Sequence, residues 1–257
     1  MSSPLPVAMP GDGPLAERIA EQPDVVVSEQ SSAVVVVHLS ADLDEVADHL
    51  RAGRDVVTAL PLEALPLDEV RDACRAGSST LHATGGFQSA VAARLTRSLA
   101  AATREITRIE SIEEIDLPKA GVYPWNTVPD NALPGYYFAG LRVLEAAAFP
   151  DVGSEAPVFH AEDSGAMHTL GERVRYRSIR TRGVRGVPLR YRLATTTAAG
   201  TATATVDFHP TDGIHPADHL TLVELLNALR PIHASEPGIV LRDLSITHLA
   251  PDDRLPR

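Results

Sequence analysis

Three residues constrain this chain more than any others. Gln30-Ser31-Ser32 is all that separates the strand Val25–Val27, which ends at Ser28-Glu29, from Ala33–His38, a continuous β-branched run of the kind buried in a parallel sheet. Adjacent parallel strands need a crossover of about a dozen residues. Either the two strands run antiparallel, or a helix-and-strand unit is missing and the sheet is reduced.

The segments on either side read as a strand–helix–strand array. Val7–Met9 is a short strand, followed by Pro10-Gly11-Asp12-Gly13-Pro14 and a helical pattern over Leu15–Glu21. Strand, glycine turn and helix outline a dinucleotide-binding start, in which Gly11 and Gly13 would let the backbone approach a pyrophosphate and Glu29 would reach a ribose. Asp12 puts an anion beside the phosphate position, Pro14 removes one N–H, and Ala16 stands where a third glycine is usual. At about 4 Å and an effective dielectric of about 20, Asp12 alone would oppose a phosphate by roughly 4 kcal/mol. These departures lead to the expectation that the chain uses no cofactor, the alternative being NADP or NAD.

Ala41–Arg51 forms a helix stopped by Gly53, Asp55–Leu60 the next strand, Pro61–Pro66 a loop carrying Glu63, Leu67–Ala76 a helix and Ser79–Ala83 a further strand. Thr84-Gly85-Gly86-Phe87 then opens a helix over Ser89–Thr107, whose free N–H groups point at whatever occupies the junction. A strand over Arg108–Leu117 follows. Tyr123, Trp125 and Tyr136-Tyr137-Phe138 form a local group of aromatic residues in an aromatic-poor chain. Arg173–Thr181, Pro188–Thr197 and Thr201–His209 read as an antiparallel meander, its arginines forming a solvated or ion-paired face. Gly213-Ile214-His215 precedes a helix over Ala217–Leu229.

A net charge of -11 argues against nucleic acid as a partner. Cys74 is the only cysteine, which excludes disulfides and thiolate clusters and suits a reducing compartment. No apolar run approaches the roughly 20 residues a spanning helix needs, so a cytoplasmic protein away from membranes is expected. His160, Glu162, Asp163 and His168 match no common metal-ligand spacing, and no metal is expected.

In the order of its short strings the chain resembles the dihydrodipicolinate reductase superfamily, and most closely its diaminopentanoate dehydrogenase-like branch. The strings are Asp55–Thr58 with Glu63 after it, Thr84–Phe87 before a long helix, Gly213-Ile214-His215, Asn227–Pro231, and Pro237-Gly238-Ile239 with Arg242-Asp243-Leu244. The resemblance implies an α/β fold: a reduced Rossmann-like unit over residues 1–84, a mixed α+β substrate and oligomerisation unit over 85–212, and a helix and tail over 213–257 returning to the first. It also implies NAD(P)-dependent amine or imine chemistry in the cleft between them, and a homodimer or homotetramer through the second unit's sheet.

Within that cleft His38, His82, Glu63 and His215 are the expected acid–base groups. Ser40, Thr84, Gly85, Gly86, Phe87, Tyr123 and Trp125 are the expected contacts of a small-molecule substrate. With the glycine turn degraded, the expectation is a cofactor-independent cyclase or isomerase of specialised metabolism. An NAD(P)H-dependent imine or amine oxidoreductase is the first alternative, a non-catalytic binding protein the second.

Overall fold

The computed structural model describes residues 3–10, 13–40, 42–103, 105–116, 133–149, 151, 153, 155–162, 165–181, 186–210 and 214–241. Tyr123, Trp125 and Gly11 lie outside them, as does Asp12.

β1 (Leu5–Ala8), β2 (Val25–Val27), β3 (Val35–His38), β4 (Asp55–Thr58), β5 (Thr80–Ala83) and β12 (Gly238–Ile239) form a wholly parallel sheet in the order β2-β1-β3-β4-β5-β12. The short connection after β2 is resolved by stagger. β2 and β3 flank β1 on opposite sides, and the last residue of one, Val27, and the first of the other, Val35, both lie opposite Val7. The chain therefore crosses only two strand spacings, about 10 Å, without running back the length of the sheet. A compact turn does this, with the N–H groups of Ser32 and Ala33 both donating to the Glu29 carbonyl. The sheet is parallel and reduced, and the antiparallel option fails.

Every residue of β3 is buried because the sheet is covered on both faces. α2 (Leu43–Arg51) and α3 (Leu67–Gly77) pack together on one side, α1 (Pro14–Ala20) and α6 (Pro216–His233) on the other. α2 starts where the Asp42 carboxylate accepts the Asp44 N–H at 3.0 Å.

The second sheet has the order β11-β10-β6-β9-β8-β7, from β6 (Ile106–Asp116), β7 (Val158–Glu162), β8 (Gly165–Leu170), β9 (Val174–Thr181), β10 (Leu189–Thr197) and β11 (Gly200–Phe208). The expected meander is corrected here. β6 inserts between β9 and β10, parallel to one and antiparallel to the other, so that β9 and β10 do not pair; β10–β11 is a hairpin, and β7, β8 and β9 pair antiparallel in succession. The arginines of the outer face are ion-paired where Arg177 meets Glu162 at 2.7 Å and Arg190 meets Asp207 at 2.5 Å. α5 (Leu133–Ala148) covers the inner face, and α4 (Gly86–Ala102) is wedged between α5, α6, the edge strand β11 and its neighbour β10.

Under α5 the inner face carries a buried carboxylate. Strand alternation turns Glu113 inward with Ile109, Ser111 and Ile115, and there it accepts hydrogen bonds from Tyr176 (2.9 Å), Ser178 (2.8 Å) and Tyr191. Tyr137 of α5 donates to Ser178 at 3.3 Å, tying the helix to this centre. Desolvation raises the Glu113 carboxyl above its ordinary value, opposed by the three hydroxyl donors and Arg180.

A raised carboxyl favours the native state least once the unfolded chain ionises, so Glu113 should reduce stability as pH climbs above the ordinary carboxyl value of 4.5. Thermal unfolding of wild type and Glu113→Gln between pH 5 and 8 should show wild type losing ground steadily to the variant as pH rises. A pH-independent difference between them would contradict the assignment.

Candidate functional site

In an open parallel sheet, ligands bind beyond the carboxyl ends of the strands where the order reverses. Here the reversal lies between β1 and β3. Beyond β1 the chain reaches Gly13, whose φ of 144° favours glycine and whose missing Cβ would meet nothing within 4 Å among the described residues. The backbone is thus open to close approach. α1 begins one residue on with Pro14, which has no N–H to offer, and carries Glu17 in its first turn. Glu29 is exposed past the end of β2, on the same edge of the sheet. In outline these residues suit a dinucleotide: an uncrowded glycine, a reversal of strand order and an exposed acid past β2, with one N–H donor fewer.

The histidines separate. His38 is fully buried at the end of β3, its Nδ1 3.4 Å from Thr58 Oγ1 and its Nε2 3.4 Å from Glu45 Oε2 of α2. Burial pushes its pKa down, with Glu45 opposing. In the register His38 aligns with Thr58, whereas His82 aligns with Val57, one residue lower. Alternation then sends the two imidazoles to opposite faces of the sheet. His82 donates from Nδ1 to the Val240 carbonyl at 2.8 Å, on the α4 and α6 side. They are separated by β4 and cannot act on one small molecule as a pair.

His215 caps α6, its Nδ1 accepting the Ala217 N–H at 3.2 Å. Burial lowers its pKa, with the Pro188 backbone and Asp116 opposing, which places it between the two sheets. The Ser40 hydroxyl is engaged by the Asp42 N–H at 2.9 Å.

Glu63 stands on a short 3-10 turn, Leu62–Ala64, that packs against α5. Its carboxyl is raised by desolvation, opposed by its own backbone N–H and by Arg142 of α5. The side chain is nonetheless exposed, at the edge where this turn meets α5. The loop after β5 forms the floor of that junction: Thr84 donates its N–H to the Thr58 carbonyl (2.9 Å), Gly85 to that of Leu60 (3.2 Å), and Thr84 Oγ1 accepts from Gly86 (3.1 Å). Phe87 is buried beneath it.

Two residues at this junction escaped the sequence reading. Gln88 and Ser89 are buried in the first turn of α4, and Gln88 Oε1 and Ser89 Oγ have no hydrogen-bond partner among the described residues. The periodic stripe Val91, Leu95, Leu99 suggests a one-sided helix, but the start of α4 is enclosed all round, from Phe87 to Ala93. Polar residues inside so enclosed a turn are the signal that could have revealed them. Elsewhere, His160 and His168 project to opposite faces of the second sheet, because they lie opposite Met167 and Phe159 respectively. No helix among the described residues is long and apolar enough to cross a membrane.

No family model matches the sequence, and no curated protein does. Solved structures match in fold. An amine dehydrogenase from Mycobacterium smegmatis superposes with a TM-score of 0.65 at 13% identity, covering 93% of this chain and 95% of that one. GenD2 from gentamicin A biosynthesis, in complex with NAD, gives 0.60 at 13% identity, covering 89% and 87%. A dipicolinate-bound dihydrodipicolinate reductase from Paenisporosarcina sp. TG-14 gives 0.53 at 11% identity, covering 92% and 97%. The chain therefore has a Rossmann-like dehydrogenase fold with a second mixed sheet, without the diaminopentanoate branch being singled out. The expectation of no cofactor is corrected: a neighbour of this fold holds NAD. Asp12 and Pro14 count against a phosphate as residue types, but the strand order reverses beside Gly13, whose backbone is uncrowded among the described residues.

Gly85 joins β5 to α4 with φ 69°, and a Cβ there would collide with Ser89 Oγ. Gly85→Ala should cost about 1–3 kcal/mol. Adding Ser89→Ala should recover part of the loss in a double-mutant cycle by denaturant unfolding, and strict additivity would contradict the contact.

Proposed function

We propose that the chain is an NAD(P)-dependent oxidoreductase acting on a small amine or imine in the hollow between the carboxyl ends of the first sheet and α5. The observation that carries this reading is the β1–β3 reversal with Gly13 open above it. The fold it shares with an amine dehydrogenase and with NAD-bound GenD2 supports it.

Gly13 and the N–H groups of Leu15 and Ala16 in the first turn of α1 would receive the pyrophosphate, and Glu29 the adenosine ribose. The bound dinucleotide would supply or accept the hydride. Glu63, whose carboxyl desolvation raises above its ordinary value against the pull of Arg142, would give a proton to the substrate nitrogen or take one from it. Thr84–Gly86 would form the floor, with Ser89 and Gln88 offering polar atoms that have no partner among the described residues. His38 would hold the ends of β3 and β4 to α2, and His215 the start of α6, both as supports. No observation favours a cyclase or isomerase. The outer face of the second sheet, where Ile112 and Ile179 alternate with charged residues, supports a homodimer or homotetramer.

Titration of NADH and NADPH fluorescence should give micromolar binding, tighter for NADH, because the Glu29 carboxylate repels a ribose phosphate. At about 1 kcal/mol for an exposed pair, Glu29→Gln should narrow that preference by roughly fivefold. With turnover established, Glu63→Gln should lower kcat by about a hundredfold or more while leaving NADH affinity intact. Absence of binding of either dinucleotide, or full activity in Glu63→Gln, would overturn the proposal.

A further inference from the structure

A cavity lies away from the β1–β3 reversal, at the far edge of the first sheet. It has a volume of about 660 Å³, lies open between α4 and α6, and is bordered by His82 and by Val240 and Leu241 just past β12. That is within the range of small-molecule sites, roughly 300–1,000 Å³. The His82–Val240 hydrogen bond, 2.8 Å, fixes one wall.

Its charges are unequal. Arg94 of α4 reaches across to Glu224 of α6 and forms an ion pair that ties the two helices together. Arg97, one turn further along α4, lines the same cavity, and its Nε is enclosed without a hydrogen-bond partner among the described residues. An enclosed guanidinium N–H without an acceptor is costly, and a carboxylate is the acceptor whose geometry suits it. Arg94, Arg97 and Glu224 together leave one positive charge. The rest of the lining is largely apolar, including Ala93, Ala228, Ile232 and Val240.

We infer that this groove is a second ligand site, separate from the proposed dinucleotide crevice, for a small monocarboxylate with an aliphatic body: the carboxylate meets Arg97 and the body lies between α4 and α6. A single unmatched charge suits a monoanion better than a phosphate dianion. The apolar walls give the aliphatic chain its place.

The test uses the full chain and hexanoate as probe, with 1-hexanol and inorganic phosphate as controls, by calorimetric titration and thermal unfolding. Hexanoate should bind and raise Tm, and neither control should match it. Arg97→Met should weaken hexanoate binding by about tenfold or more. Without ligand its Tm should equal or exceed that of wild type, because an unsatisfied donor has been removed. Ala228→Trp, which fills the groove, should also block hexanoate. Four results would each overturn the inference: no hexanoate binding, equal binding of phosphate or hexanol, undiminished binding in both variants, or competition between hexanoate and NADH. A clear fall in the ligand-free Tm of Arg97→Met would overturn it too, by showing that the side chain already serves the fold.

Discussion

Everything at the carboxyl end of the first sheet depends on a register: Val27 and Val35 share Val7 as their neighbour on β1. Because β3 begins at the level where β2 ends, seven residues replace a full helical crossover, and both flanking strands stay parallel to β1. Parallel direction keeps all the strand ends on one side. The reversal of order between β1 and β3 then opens a crevice there, and the turn at Gly13 borders it. Had the strands been in step, the same short connection would have forced one of them to reverse.

The second constraint is α4. It leaves the first sheet at Gly85-Gly86 and runs between the layers, touching α6 on one flank and α5 on the other. Its first turn is consequently enclosed, and Gln88 and Ser89 are carried into the junction with polar atoms that lack partners among the described residues. α5 is tied down in turn through Tyr137 and Ser178 to the buried Glu113. A buried carboxylate is a poor source of stability compared with apolar packing. What it does here is fix the seat of α5, and with it the place of Arg142 near the turn that carries Glu63.

Much of this was legible from the residues. The β-branched runs, the glycine stops and the order of elements gave a reduced Rossmann-like sheet followed by a mixed one, and the ion-paired outer face followed from the arginine pattern. Parity across strands was not legible. His38 and His82 both read as strand-end residues, but a one-residue offset across β4 sends them to opposite faces. Nor could local pattern show that β6 would enter between β9 and β10, since hairpin signals see only neighbours in sequence. Glu113 reads as one acid in a charged strand, and the hydroxyls that make its burial possible come from residues 63 to 78 positions away. The cofactor was misjudged for a related reason: Asp12 and Pro14 are visible as residue types, whereas the open space above Gly13 is a property of the folded turn.

The most direct test is diffraction from crystals grown with NADH. The account predicts continuous density with the pyrophosphate against the Gly13 backbone and the nicotinamide between the Thr84–Gly86 loop and Glu63. A saturated complex whose dinucleotide lies elsewhere, with the β1–β3 crevice empty, would contradict it.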